Sequence, residues 1–336
     1  MNPKKHANIS IFVPFGGCPQ QCSFCNQRSI TGHMNPPPAE QVREEIDRAL
    51  SGLDAGRFQA EIAFFGGSFT ALDRTYMCSL LGAAQSFLFH PAVCGIRIST
   101  RPDAVDDEVL ALLKKYGVTA IELGAQSMDD EVLRRNRRGH TAADVENAAR
   151  RIRAARFELG LQMMTGLYGD TDAKTLETAG RLLALCPDTM RIYPTVVLEG
   201  THLAALFRAG AYNPQTLDQA VPLCAALLEK CERHNVPVIR LGLHDSDEIR
   251  KNRLAGAYHP AFRELCESEL FFDRMLHALE GTPSGGRIEI EVHPASLSKA
   301  IGQKKRNLTR FQERGFAVSI HASDEVEEKK FRTISR

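Results

Sequence analysis

The chain has 336 residues, 43% hydrophobic and 25% charged, with 42 Lys+Arg set against 41 Asp+Glu. That is ordinary globular composition, long enough for one large α/β barrel with an appendage or for two domains. The charge balance excludes a global attraction to nucleic acid or membrane, so any such affinity has to be local.

No apolar run approaches the roughly 20 residues that span a bilayer. The start, MNPKKHANISIFVPFGG, holds only the short run Ile9–Phe15, interrupted by Ser10 and followed by no small-residue cleavage site; it reads as a first strand rather than a signal peptide, and the expected location is the cytoplasm. Apolar β-branched runs then alternate with amphipathic helical patterns, which predicts βαβ units and a parallel sheet. Strands are expected at 9–15 (ISIFVPF), 60–65 (AEIAFF), 95–99 (GIRIS), 118–123 (VTAIEL), 158–164 (ELGLQMM) and 188–194 (DTMRIYP). Their spacing is barrel-like. Between them, PPPAEQVREEIDRAL sets a proline stop before Val42, Ile46 and Leu50 on one helical face, and 141–155 and 172–185 read as further helices.

After residue 200 the pattern is mostly helical (201–208, 215–234, 257–280), with one short strand, VPVIRL, at 236–241. GTPSGGR at 281–287 reads as a linker, and the tail beyond it reads strand, helix, strand. The expected organisation is α/β: a partial barrel over 1–210, a helical extension completing the core over 211–280, and a small α/β unit over 285–336. The sequence shows no internal repeat or low-complexity tract.

Nine cysteines are an odd number, and a reducing compartment does not favour structural disulfides. Six (Cys78, Cys94, Cys186, Cys224, Cys231, Cys266) stand singly and read as buried small hydrophobes. Cys18, Cys22 and Cys25 differ: Cys-x3-Cys-x2-Cys lies on the loop leaving the first strand, and barrels place chemistry at the C-terminal ends of their strands. Soft thiolates at this spacing select zinc or iron–sulfur. A closed zinc site needs a fourth ligand, for which His33 is available. A [4Fe–4S] cluster with three thiolates keeps one iron open instead.

The run Cys18-x3-Cys22-x-Phe24-Cys25 resembles the cluster signature of the radical S-adenosylmethionine (SAM) enzymes. The resemblance implies a partial (β/α)6 barrel of the TIM type. It further implies a [4Fe–4S] cluster whose open iron is chelated by SAM, an external electron donor, and reductive formation of a 5′-deoxyadenosyl radical. On the same resemblance Gly66, Gly67 and Ser68 of FFGGSF receive the SAM amino group, Gln126 of ELGAQS meets ribose or nearby polar atoms, and Arg138 of RRNRRGH pairs with the SAM carboxylate, a task suited to a planar bidentate donor. From the residues alone, the glycine pair is equally a tight turn, and Arg134–Arg138 a solvated basic helix end.

GGSFTAL, STRPD, IELGAQS, NRRGHT, LQMMTGL and RIYPTVVLEGTHLAALFRAGAY resemble, in the same order, the radical SAM region of the catalytic subunit of Elongator, a tRNA wobble-uridine modifying enzyme. The resemblance covers roughly residues 8 to 245. It places Thr100, Gln162 and Tyr193 on strands facing the site, where a purely structural hydrogen-bonding role is the competing reading. Two departures stand out: the gap between the first two cysteines is shorter here, and only 56 residues follow position 280, too few for an acetyltransferase fold. Carboxymethylation chemistry therefore does not simply carry over.

In the tail, AIGQKKRNLTRF (300–311) resembles the turn-and-helix core of a KH domain, whose Gly-x-x-Gly loop clamps single-stranded RNA. Gly302 is present, but the last loop position is Lys305; Lys304, Lys305 and Arg306 form a local basic patch at a helix start. The bland alternative is a solvated helix. Three functions remain open: a radical SAM enzyme acting on RNA, most plausibly tRNA; a radical SAM oxidoreductase on a small molecule, of the coproporphyrinogen dehydrogenase type; and a metal-stabilised RNA-binding protein without catalysis. Oligomeric state, reductant and the atom attacked are not encoded in any motif.

Overall fold

The structure, a computed structural model, describes residues 4–14, 17–18, 21–26, 36–281 and 287–335. His33, and most of the 281–287 linker, lie outside the described residues. The strands of the main body are β1 (Lys5–Val13), β2 (Phe58–Gly66), β3 (Val93–Thr100), β4 (Val118–Gln126), β5 (Glu158–Thr165), β6 (Thr189–Pro194), β7 (Val196–Leu198), β8 (Val238–Leu241) and β9 (Arg253–Gly256). Seven of them form one sheet in the order β1-β2-β3-β4-β5-β6-β8, every neighbouring pair parallel. β1 and β8 are the two edges, so the sheet curls into a half-barrel without closing.

Period-2 alternation explains both faces of this sheet. Ile9, Ile11, Ile62, Phe64, Ile96, Ile98, Ile121, Leu123, Leu159, Leu161 and Ile192 point outward into a continuous core with the helices. Each such side chain, fully buried, contributes about 1.5–3 kcal/mol. The intervening residues turn inward and include a set of charged side chains. There Arg97 reaches Glu61 at 2.7 Å, Glu158 at 2.7 Å and Glu122 at 3.4 Å, and Arg191 Nε lies 2.7 Å from Glu122. The inner face of the sheet thus carries a network of paired charges.

All six expected barrel strands are present, and VPVIRL supplies the seventh. Helices Arg74–Gln85 and Asp107–Lys115, absent from the sequence reading, begin at Asp73 and Asp106, whose carboxylates cap the backbone N–H of Tyr76 and Val109. A further addition is the antiparallel ribbon β7–β9. Of the single cysteines, Cys224, Cys231 and Cys266 are buried as expected. Cys78 is half-buried and Cys94 and Cys186 are exposed, which corrects the expectation for those three: each sits at a strand start, a helix face or a turn where the apolar neighbours turn away.

The C-terminal unit has β10 (Arg287–Val292), β11 (Ala317–Ala322) and β12 (Phe331–Ser335) in the order β11-β10-β12, with β10 parallel to β11 and antiparallel to β12. Helices Leu297–Ile301 and Arg306–Glu313 lie between β10 and β11 on either side of the Gly302 turn. Helix Phe262–Ala278 serves both cores: Phe262, Cys266 and Leu270 face the barrel helices, while Phe271, Phe272, Met275 and later Leu279 face the tail. Polar contacts seal the second face. Buried Asn307 donates to the Ser268 and Ala300 carbonyls at 3.0 Å each, Arg310 grips Glu269 through two bonds of 2.7 and 2.8 Å, and Lys299 meets Glu267 at 2.7 Å.

Candidate active site

The C-terminal ends of the strands and the loop after β1 enclose a cavity of about 430 Å³. Phe24, Cys25, Gly66, Gln126, Gln162 and Tyr193, all singled out in the sequence, line it. Gly66 can stand there because it has no side chain: its φ is +112°, and a Cβ would come within 2.9 Å of the Val13 carbonyl oxygen.

Two separate sequence blocks, around Asn136 and around residues 199–203, pin the cysteine loop. Ser23 donates its hydroxyl to Asn136 Oδ1 at 2.7 Å and its backbone N–H to the Asn136 carbonyl at 3.1 Å. Asn136 itself is held by the carbonyls of Val132 and Tyr168. The Leu203 N–H donates to the Ser23 carbonyl at 2.7 Å, and Asn26 donates to the Glu199 carbonyl at 2.7 Å. A turn bond from Cys25 N–H to the Cys22 carbonyl then orients Cys25 toward the cavity. Phe24 packs on the small cluster of Val197, Leu203, Ala204 and Tyr212.

Arg138 is buried and directs Nη1 to Cys22 Sγ at 3.1 Å and Nη2 to the Gly124 carbonyl at 2.6 Å, while its Nε has no partner. The neighbouring arginines behave differently: Arg134 and Arg135 are exposed and paired with Glu131. Arg101, which the sequence reading passed over, holds Asp103 through two bonds and donates to the Arg138 carbonyl at 2.6 Å. Packing pushes the Cys18 thiol above its ordinary pKa, opposed by the Ser68 backbone N–H and by the Arg101 and Arg138 charges.

Gln126 holds a left-handed φ of +66°, and its buried Oε1 is unpartnered. His140 is a second buried residue that no motif reading marked. It contacts the Ala125 carbonyl through Nε2, its Nδ1 is unpartnered, and burial, with Arg138 beside it, brings its pKa down to about 4.

Ser68 and Thr100 are joined in the wall rather than among the cavity-lining residues. Their hydroxyls lie 2.9 Å apart, and Thr70 meets Thr100 at 2.6 Å and the Ala104 carbonyl. Gly67 donates its N–H to the Val13 carbonyl at 2.9 Å, tying the end of β2 to β1. Gln162 donates to Glu122 at 2.7 Å and to Ser99 at 3.2 Å. Burial pushes the Tyr193 phenol up, opposed by Arg191. Arg191, Arg240 and His244 also line the cavity; the signal for Arg191 was available, since it alternates with Tyr193 on one face of β6.

The radical SAM superfamily model matches residues 12–182, and the radical SAM C-terminal domain model matches 187–271. The chain belongs to the radical SAM superfamily. Among curated proteins it is 26% identical over 231 residues to the tRNA uridine(34) acetyltransferase of Dehalococcoides mccartyi, covering 59% of this chain and 50% of that one. It is 27% identical to an uncharacterised protein of Methanocaldococcus jannaschii, covering 74% and 73%. The archaeal Methanocaldococcus infernus Elp3 with an N-terminal deletion superposes with a TM-score of 0.63 at 20% identity, over 82% of this chain and 63% of that one, which establishes the shared fold. The chain spans about half the length of the tRNA uridine(34) acetyltransferases it matches.

Radical SAM proteins use a [4Fe–4S] cluster and SAM, and the residues present fit both. Among the described residues no three His, Cys, Asp or Glu side chains gather closely enough for a single metal ion. The unpartnered Gln126 Oε1 and Arg138 Nε, with the side-chain-free Gly66, leave polar demand and room for an amino acid-like ligand. The basic tail residues lie elsewhere. Lys304, Lys305 and Arg306 are exposed on the C-terminal unit, and Arg306 is 3.4 Å from Asp218. No helix among the described residues is long and apolar enough to cross a membrane.

Proposed function

We propose that Cys18, Cys22 and Cys25 hold a [4Fe–4S] cluster, that SAM occupies the adjoining cavity, and that the enzyme carries out a radical step in RNA modification, with tRNA as substrate. The observation that carries this reading is the pinned loop: contacts from Asn136, Arg138, Glu199 and Leu203 fix it so that Phe24 and Cys25 form the wall of a cavity with unpartnered buried polar atoms. Cys18, Cys22 and Cys25 would hold the cluster, which would supply one-electron reductive cleavage of SAM at the expense of an external donor. The chain's own residues do the positioning. Gly66 admits a ligand against backbone, Gln126 offers an acceptor, and Arg138 balances charge at the cysteines. Phe12, Phe24, Phe65 and Met164 give the cavity an apolar wall.

The tRNA assignment draws on the named relatives and on the tail. Lys304 and Lys305 adopt left-handed φ values of +52° and +63°, each costing about 1–2 kcal/mol relative to an ordinary conformation. Consecutive strained lysines on an exposed turn are a reasonable place to receive phosphate. We place the domains at 1–210, 211–280 and 285–336, with β8 of the second completing the sheet of the first.

The test is anaerobic reconstitution with iron and sulfide, reduction, addition of SAM, and assay of 5′-deoxyadenosine beside Cys22→Ala, with and without bulk tRNA. Release that depends on Cys22 and rises with tRNA is expected. A protein that takes up zinc, holds no iron and leaves SAM intact overturns the reading.

A further inference from the structure

We infer that Arg240 is the anchor of a binding site for an anionic group, a phosphate or a carboxylate, on a second ligand entering the same cavity; the inference rests on that cavity being the reaction site proposed above. Among the described residues nineteen line the cavity, and none of these is Asp or Glu. Two are arginines at matched register on neighbouring strands, Arg191 of β6 and Arg240 of β8. Their charges are handled differently. Glu122, 1% exposed, neutralises Arg191 from behind at 2.7 Å and takes a further bond from Gln162. Among the described residues Arg240 makes one hydrogen bond, from Nε to the Gly242 carbonyl at 3.0 Å, its charge also acts on the Tyr193 phenol, and no carboxylate lies within ion-pair distance of it.

A half-buried guanidinium facing a largely apolar cavity is costly unless an anion joins it. Its planar fork, with both Nη groups uncommitted, matches two oxygens of a phosphate or carboxylate. The placement favours a second ligand over SAM. Arg240 lies on β8, the edge strand at the opposite end of the sheet order from β1, whose following loop carries the cysteines that Arg138 contacts. Tyr193 and His244 line the cavity on the same side. An incoming group held there meets the cavity at its β8 edge.

Two sources supply this chemistry: the phosphate of a nucleotide in RNA, and a small carboxylate or phosphate co-substrate. Isothermal titration of the full chain with inorganic phosphate, with acetate and with bulk tRNA separates them. It is run on the wild type, Arg240→Gln and Arg240→Lys, with Arg43→Gln on the remote first helix as a charge-matched control. We expect Arg240→Gln to weaken the bound anion about tenfold or more, Arg240→Lys to lose less, and Arg43→Gln to match the wild type, with melting temperatures confirming folded protein. Phosphate binding that tRNA competes away assigns the site to RNA, and acetate binding indifferent to tRNA assigns it to a small acid. Equal binding of all three probes by wild type and Arg240→Gln overturns the site. The readout needs no SAM cleavage, so failure of the Cys22 assay and failure of this site are separate results.

Discussion

Gly66→Ala tests whether the β1–β2 junction is built around the absence of a side chain. At φ +112° Gly66 lies outside the narrow left-handed well that L-residues visit, and an added Cβ would meet Val13 O at 2.9 Å, Val13 C at 3.1 Å and Val13 N at 3.3 Å. All three contacts are backbone in a strand paired in register with Gly66, so nothing can yield without opening the pair. Backbone strain costs about 2–3 kcal/mol, and the overpacking adds roughly 1–2 kcal/mol. Gly210→Ala is the matched control: its φ is +69° with nothing within 4 Å, so it carries only about 1–2 kcal/mol of conformational cost. The difference, about 2 kcal/mol, lowers the melting temperature of Gly66→Ala by roughly 4–8 °C beyond that of Gly210→Ala. Because Val13–Gly66 is the last register pair before the cysteine loop, iron bound after reconstitution should also fall in Gly66→Ala and not in Gly210→Ala. Calorimetry and iron analysis decide it, and equal melting temperatures for the two variants refute the steric argument.

Arg310→Met should leave the Glu269 carboxylate buried and unpaired, costing about 3–5 kcal/mol. Hydrogen exchange should then show lost protection in β10–β12, and Arg310→Met/Glu269→Leu should recover it. His140 is held neutral by burial and by Arg138, with a folded pKa near 4 against an ordinary 6.5. The unfolded chain therefore binds the extra proton first, and His140's contribution is intact above pH 6.5 and is lost as pH falls through 4, by up to about 3 kcal/mol. Melting temperatures from pH 7 to 4 should fall less steeply in His140→Gln. Lys304→Gln/Lys305→Gln should weaken tRNA binding and reduce the slope of log K against log salt by about 1.4, if each lysine contacts one phosphate of single-stranded RNA; an unchanged slope removes the tail from the RNA interface.

What could be read in advance was local. Ile9-Ser10-Ile11, Glu61-Ile62-Ala63 and Arg191-Ile192-Tyr193 carry their strand pattern within a few residues, so the strands were visible. So was the cysteine motif, whose spacing is contained in eight positions. The β7–β9 ribbon was not, because Val196–Leu198 and Arg253–Gly256 are each too short to carry a pattern and acquire strand character only by pairing across more than fifty residues. The same limit applied to the site. Asn136 and Arg138 sit in one basic run with Arg134 and Arg135, and nothing within that run separates the pair that packs under the cysteine loop from the pair that faces water; Ser23 and Cys22, more than a hundred residues earlier, make the distinction. Arg191 and Arg240 are equally alike on paper. Glu122 behind one of them, and no carboxylate beside the other among the described residues, is a fact of strand order, and it is this asymmetry that turns a polar barrel wall into a surface with a preference for anions.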